Sequence, residues 1–224
     1  MGLGSCLLAG FLFVSGCTKV AKETVESEDK PAKSPDWEVL LLDGSSVSNQ
    51  FGNFTLRLTN KAEIVIASGK LVACDGFVFD SQPLKAEFPL GKFPVQLAVA
   101  QFPNDQRVAC ATLVFSTNTA VRWEFCGGYG VDSGTGCYMD VKAAKLLEKR
   151  MEREPNYFMK LIPEMEKQQV NTWSWLNLRL EEASGLNVVW FSSGFGDGGY
   201  NCFVGYDAAG KPAKLITDFG ILNP

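Results

Sequence analysis

The chain contains no histidine. That absence removes Ser-His-Asp and Cys-His catalysis, histidine general bases and every metal site that depends on imidazole. No C-x-x-C spacing occurs either, so neither a four-cysteine zinc site nor a thioredoxin-type centre is indicated. Positive charge is in deficit: 21 Lys and Arg stand against 25 Asp and Glu, a net charge of -4 with no basic stripe. The counterion release that drives nucleic-acid binding therefore has no source, and nucleic acid is excluded as a partner. No segment repeats with a period of 20 to 50 residues, which argues against a propeller or solenoid.

The one strongly apolar run opens the chain. Leu7 to Val14 is followed by small Ser15 and Gly16 and then Cys17. This core is too short to cross a bilayer and has the form of a signal peptide. Val14-Ser15-Gly16-Cys17 resembles the bacterial lipobox, in which the cysteine thiol takes a diacylglyceryl group and the leader is cut before it. Residues 1–16 are thus expected to be a lipoprotein signal peptide and Cys17 the lipidated residue. Several acyl chains at about 0.8 kcal/mol per buried methylene make a stable membrane anchor. No Lys or Arg precedes the apolar run, unlike a normal leader. Thr18, standing where an inner-membrane lipoprotein carries Asp, implies the outer membrane if the host is Gram-negative.

Residues 17–36 read as the lipidated cysteine and a flexible tether, mixed in charge and containing proline without apolar periodicity. Nineteen residues of coil span roughly 25 Å.

The hydrophobic fraction of the whole chain, 46%, is ample for a packed core, and from Trp37 onward the pattern changes. Short apolar runs broken by turn residues predict strands over 54–58, 63–67, 71–79, 95–101, 107–115 and 121–125. A helical stretch follows. Asp140 can cap a helix with Val141, Ala144, Leu147 and Met151 on one face, and Pro155 suits the first position of a second helix carrying Phe158, Leu161, Ile162 and Met165. Pro163 inside that stripe should kink or shorten it. Strands return over 175–180, 186–191, 200–206 and 213–217, the last two joined by an Asp207-Ala208-Ala209-Gly210 turn. The expected fold is α+β: a mainly antiparallel β-sheet with one or two central helices, forming a single domain over 37–224.

Four ordered stretches carry a resemblance to a known family. They are Ser68-Gly69-Lys70-Leu71-Val72-Ala73-Cys74-Asp75; Val131 to Gly136 with Met139-Asp140; Phe191-Ser192-Ser193-Gly194 through Gly196-Asp197-Gly198 to Tyr200; and Gly205-Tyr206-Asp207 through Gly210 to Thr217-Asp218-Phe219. In these the chain resembles the domain of unknown function 4241 family over roughly 62–219. The resemblance implies a fold neighbourhood and a motif map without a reaction. Asp75 is followed by Gly76 where the family is expected to have proline.

Asp132, Asp140, Asp197 and Asp218 form the candidate metal or ligand set. Glycines around Asp132 and Asp197 allow positive-φ turns that bring carboxylates around a hard cation, with Ca²⁺ or Mg²⁺ the candidate ion. The competing reading makes Asp132 and Asp197 acceptors for backbone amides in glycine turns and Asp140 a helix cap. Cys137 becomes a candidate nucleophile if it sits at the start of the helix, with Lys142 or Lys145 as base; a packed or disulfide-bonded cysteine is the alternative. Cys74, Cys110, Cys126, Cys137 and Cys202 would remain in the mature chain, an odd number. Trp173, Trp175, Trp190 and Tyr200, with Phe195 in a glycine loop, suit either a recognition surface or core packing.

Two functions from different classes follow. One is a non-enzymatic binding module at the cell envelope, held by its lipid and capturing a protein or peptide partner or another ligand. The other is a divalent-cation-dependent hydrolase, or a Ca²⁺-stabilised domain, built on the four aspartates.

Overall fold

The computed structural model describes residues 35–222, so the leader, Cys17 and nearly all of the tether lie outside the described residues. Eleven strands and three helices follow in chain order. They are α1 (Trp37–Leu40), β1 (Ser46–Asn49), β2 (Gly52–Ile66), β3 (Leu71–Asp75), β4 (Gly91–Gln101), β5 (Gln106–Val114), β6 (Arg122–Val131) and β7 (Thr135–Asp140). Then come α2 (Val141–Arg153), α3 (Tyr157–Glu166), β8 (Trp175–Arg179), β9 (Asn187–Ser192), β10 (Gly198–Tyr206) and β11 (Pro212–Asp218).

The strands make two sheets. One has seven strands in the order β1-β2-β4-β5-β11-β10-β6 and the other four in the order β3-β7-β9-β8. All neighbouring strands in both sheets run antiparallel. The mainly antiparallel character agrees with the sequence reading; the division into two sheets was not anticipated.

The four-stranded sheet is the middle layer. Leu71, Ala73, Tyr138, Val189 and Phe191 point to a core shared with Val95, Leu97, Leu113 and Leu215 of the larger sheet. Their neighbours Val72, Cys74, Cys137, Met139, Val188 and Trp190 point the other way, onto Ala143, Ala144 and Leu147 of α2 and Leu161 and Met165 of α3. A strand covered on both faces has no polar side to show, which is why β3 and β9 read as largely apolar runs without alternation. A third cluster closes the far face of the larger sheet, where Trp37 of α1, Ile221 and Leu222 cover Phe54, Leu56, Ala98 and Phe203.

The strands expected at 54–58 and 63–67 are one strand, β2. Its register against β4 shifts between Asn60 and Ala62. One inserted residue exchanges the two faces of a strand, so Phe54 and Leu56 pack outward under α1 while Ile64 and Ile66 pack into the inter-sheet core.

Three further differences concern the elements themselves. Residues 71–79 form a strand only to Asp75. The Thr135–Asp140 stretch, which the sequence reading assigned to no strand, is the buried strand β7. The second helix begins at Tyr157 behind Asn156, two residues past Pro155. The α2 cap stands as expected: Asp140 Oδ1 accepts from the Lys142 amide at 2.7 Å.

Candidate functional site

Asp75 closes β3 at 2% exposure and accepts five hydrogen bonds. Oδ1 takes the amides of Phe77 (2.7 Å) and Val78 (2.9 Å) and the Ser133 hydroxyl (2.5 Å). Oδ2 takes the amides of Asp132 (2.7 Å) and Ser133 (2.9 Å). Burial by itself would raise the carboxyl's pKa, but Ser133 and the amides together outweigh it and hold it below the ordinary 3.8. Asp75 is therefore ionised and weakly basic. Because Ser133 Oγ spends its proton on Asp75, the Thr135 hydroxyl, 2.8 Å away, donates to Ser133.

Gly76 has no room for a side chain: a Cβ there would lie 2.1 Å from the Trp190 ring. Trp190 Nε1 donates to the Gly76 carbonyl at 2.7 Å, and the Gly76 amide donates to Thr135 O at 3.2 Å. Proline at position 76 would lose that amide bond.

A second loop is stitched to the first. The Ser193 amide donates to Gly134 O at 3.0 Å, Ser193 Oγ to Gly196 O at 3.0 Å, and the Tyr200 hydroxyl to Gly196 O at 2.7 Å. Gly194 (φ +53) passes where a Cβ would meet Phe219 at 3.0 Å.

The four candidate aspartates take different places. Asp132 and Asp197 are exposed on the two adjoining loops. Burial and then the carboxylates of Asp197 and Asp218 raise the Tyr200 pKa above its ordinary 10.0. Asp218 is 8% exposed and its Oδ1 accepts from the Gly220 amide at 2.9 Å. Asp140 lies at the far end of β7 from Thr135, about 17 Å along the strand. Its Oδ2 accepts from the Ala67 amide, the Ser68 amide and the Ser68 hydroxyl at 2.8 to 2.9 Å. Among the described residues no group of three or more Asp, Glu, Cys or His is placed to hold a metal ion.

Cys137 is not at a helix start. It lies within β7, fully buried, opposite Cys74 with the two sulfurs 3.6 Å apart. Burial foremost, and then Cys74, push its thiol pKa well above 9.0, the opposite of an activated nucleophile. Lys142 donates to Ala67 O at 3.0 Å and Lys145 is exposed. All five described cysteines are free and buried. Trp173 and Trp190 are core residues, whereas Phe195 is 51% exposed beside Phe51 and Phe102.

The feature that sequence reasoning missed is an open groove of about 700 Å³ between α3 and the loop held by Asp75. Phe77, Phe158, Met159 and Ile162 give it apolar walls, and Ser133 and Thr135 give it hydroxyls. Phe77 meets Phe158 edge to face at 5.6 Å, and Met159 is 66% exposed at the rim. One signal was present: α3 carries Phe158, Met159, Leu161, Ile162 and Met165, more apolar residues than one buried stripe needs.

A search of curated proteins and one of solved structures each returned no match. The family model described as protein of unknown function, DUF4241, matches residues 64–217, more than half of the chain and all four stretches of motif at least in part. The chain belongs to the DUF4241 family.

Proposed function

We propose that this protein is a non-enzymatic binding module of the cell envelope, anchored through a lipid on Cys17, which takes an apolar peptide segment of a protein partner into the groove between α3 and the Asp75-held loop. The observation that carries this reading is the groove itself. It combines apolar walls with two hydroxyls on a braced turn, and its volume falls within the range of binding clefts. Apolar side chains would enter between Phe158 and Ile162, and Ser133 and Thr135 would meet backbone groups of the segment.

The protonation chemistry supports binding over turnover. Asp75, the carboxylate beside Ser133, is held below its ordinary pKa and is a poor general base. The Cys137 thiol is buried and held protonated.

The test is site-specific photocrosslinking in intact cells, with the reactive residue at Met159 and, as a control, at exposed Val121, which does not line the groove. A discrete protein adduct from position 159, lost in Ile162→Glu and absent from position 121, is the expected result. The same adducts at both positions, or none at 159, would overturn the reading.

A further inference from the structure

A second cavity, distinct in its residues from the groove, has the opposite character. It holds about 270 Å³ and is lined by Arg57, Thr59 and Lys61 of β2, Gln101 and Gln106 at the ends of β4 and β5, and Trp173. Arg57, Thr59 and Lys61 share one lining because β2 is extended up to its irregularity, and alternate residues face the same way. Val99 and Val170 complete the wall, and no lining residue is acidic. In a chain whose net charge is -4, an acid-free cavity with two cations is a local reversal.

Neither cation is neutralised from within. Arg57 and Lys61 make no ion pair among the described residues. Lys61 is instead placed over aromatic faces, its Nζ 5.2 Å from the Trp173 ring centre and 5.9 Å from that of Trp175. The closest acid in sequence to the rim, Asp105, is occupied: Arg107 Nε donates to it at 2.6 Å and the Thr172 hydroxyl at 2.6 Å.

The amides are oriented as well. Trp173 Nε1 donates to Gln106 Oε1 at 3.1 Å, which fixes that side chain and leaves its NH₂ group as a donor. The Gln106 amide donates to Thr172 Oγ1 at 3.1 Å, so the Val170–Trp173 turn is clamped to the start of β5. Guanidinium, ammonium and carboxamide donors thus converge beside a small apolar wall on a braced frame.

We infer that this cavity binds a small organic anion, one oxyanion group seated between Arg57 and Lys61 and a short apolar body against Val99 and Val170. The site lies partly outside the family match, since Arg57, Thr59 and Lys61 precede residue 64. It is independent of the groove and of its proposed occupant.

Phenyl phosphate, benzoate and uncharged benzyl alcohol are suitable probes, at constant ionic strength, on the full chain. The readouts are the thermal midpoint and the NMR resonance of the Trp173 indole N–H. An anion at ten times its dissociation constant should raise the midpoint by about 4 °C and move that resonance. Benzyl alcohol should do neither. Arg57→Gln should weaken the anion effect at least tenfold with the unliganded midpoint unchanged, and Lys61→Met should do the same. The inference is overturned if benzyl alcohol acts as strongly as the anions, if Arg57→Gln binds them as well as the parent chain, or if no probe moves the Trp173 resonance. Phenyl phosphate binding without benzoate binding, or the reverse, assigns the oxyanion as phosphate or carboxylate.

Discussion

A single carboxylate, Asp75, organises the loop that faces the groove, and its removal should be felt far more than that of exposed Asp132 or Asp197. Asp75→Ala would leave the amides of Phe77, Val78, Asp132 and Ser133 without their acceptor, a loss of about 4 kcal/mol in urea unfolding at neutral pH. The pH dependence has a definite sign. Because the folded carboxyl has a pKa below 3.8, its contribution is fully present above that value and drains away as pH falls through the lower, folded one. Unfolding free energies of Asp75→Asn should therefore fall less steeply than those of the parent chain below pH 4. Parallel curves would refute the assignment. At the same scale, Cys74, Cys110, Cys126, Cys137 and Cys202 should resist iodoacetamide in the native protein at neutral pH and react in urea, as read by intact mass. Burial, the leading cause, raises the thiol pKa at Cys110 and Cys137 and takes that of Cys202 up to about 12.

Helix α3 forms one wall of the groove and carries Pro163 within it. Proline removes an i to i−4 hydrogen bond, so Pro163→Ala should stabilise the domain by about 1 kcal/mol, or about 3 °C in midpoint. A fall in midpoint would mean that the proline ring itself is needed for the way α3 seats Leu161 and Met165 in the core. The two glycine loops lend themselves to a second test, the midpoint in EDTA and then in excess Ca²⁺ or Mg²⁺. With Asp140 at the other end of β7, and with exposed Asp132 and Asp197 contributing too few ligands for a hard cation, no shift is expected. A rise with one cation that disappears in Asp197→Asn would restore a metal site to these loops. Element by element, legibility varied with the kind of signal. The α2 cap at Asp140 and the Asp207–Gly210 turn depend on neighbours in sequence, and both were readable. Strand β7 was not, because Gly134, Gly136 and Thr135 look like loop chemistry. Gly136 pairs with Asp75 and Phe191 in the sheet, and it is glycine because the Tyr129 hydroxyl occupies the space, 2.5 Å from where its Cβ would stand.

For the whole molecule, the anchor proposal makes its own prediction: Cys17→Ser should move the protein from the membrane to the soluble fraction of cells, followed by immunoblotting, and an unchanged distribution would remove the lipid from the account. Local chemistry in the sequence alone determined the excluded reactions, the β-rich character, the Asp140 cap and the family, because composition, periodicity and capping act over a few residues. Only the tertiary structure decided which strands joined which sheet, since the flip at Asn60 to Ala62 and the burial of both faces of β3, β7 and β9 depend on partners tens of residues away. The same holds for the sites. Asp75 meets Ser133, and Phe77 meets Phe158, only when the chain has folded back across more than fifty residues, and the donors around Arg57 and Lys61 converge only because Trp173 returns to pack beside β2. Such convergence is a property of packing in three dimensions and leaves no periodic trace along the chain.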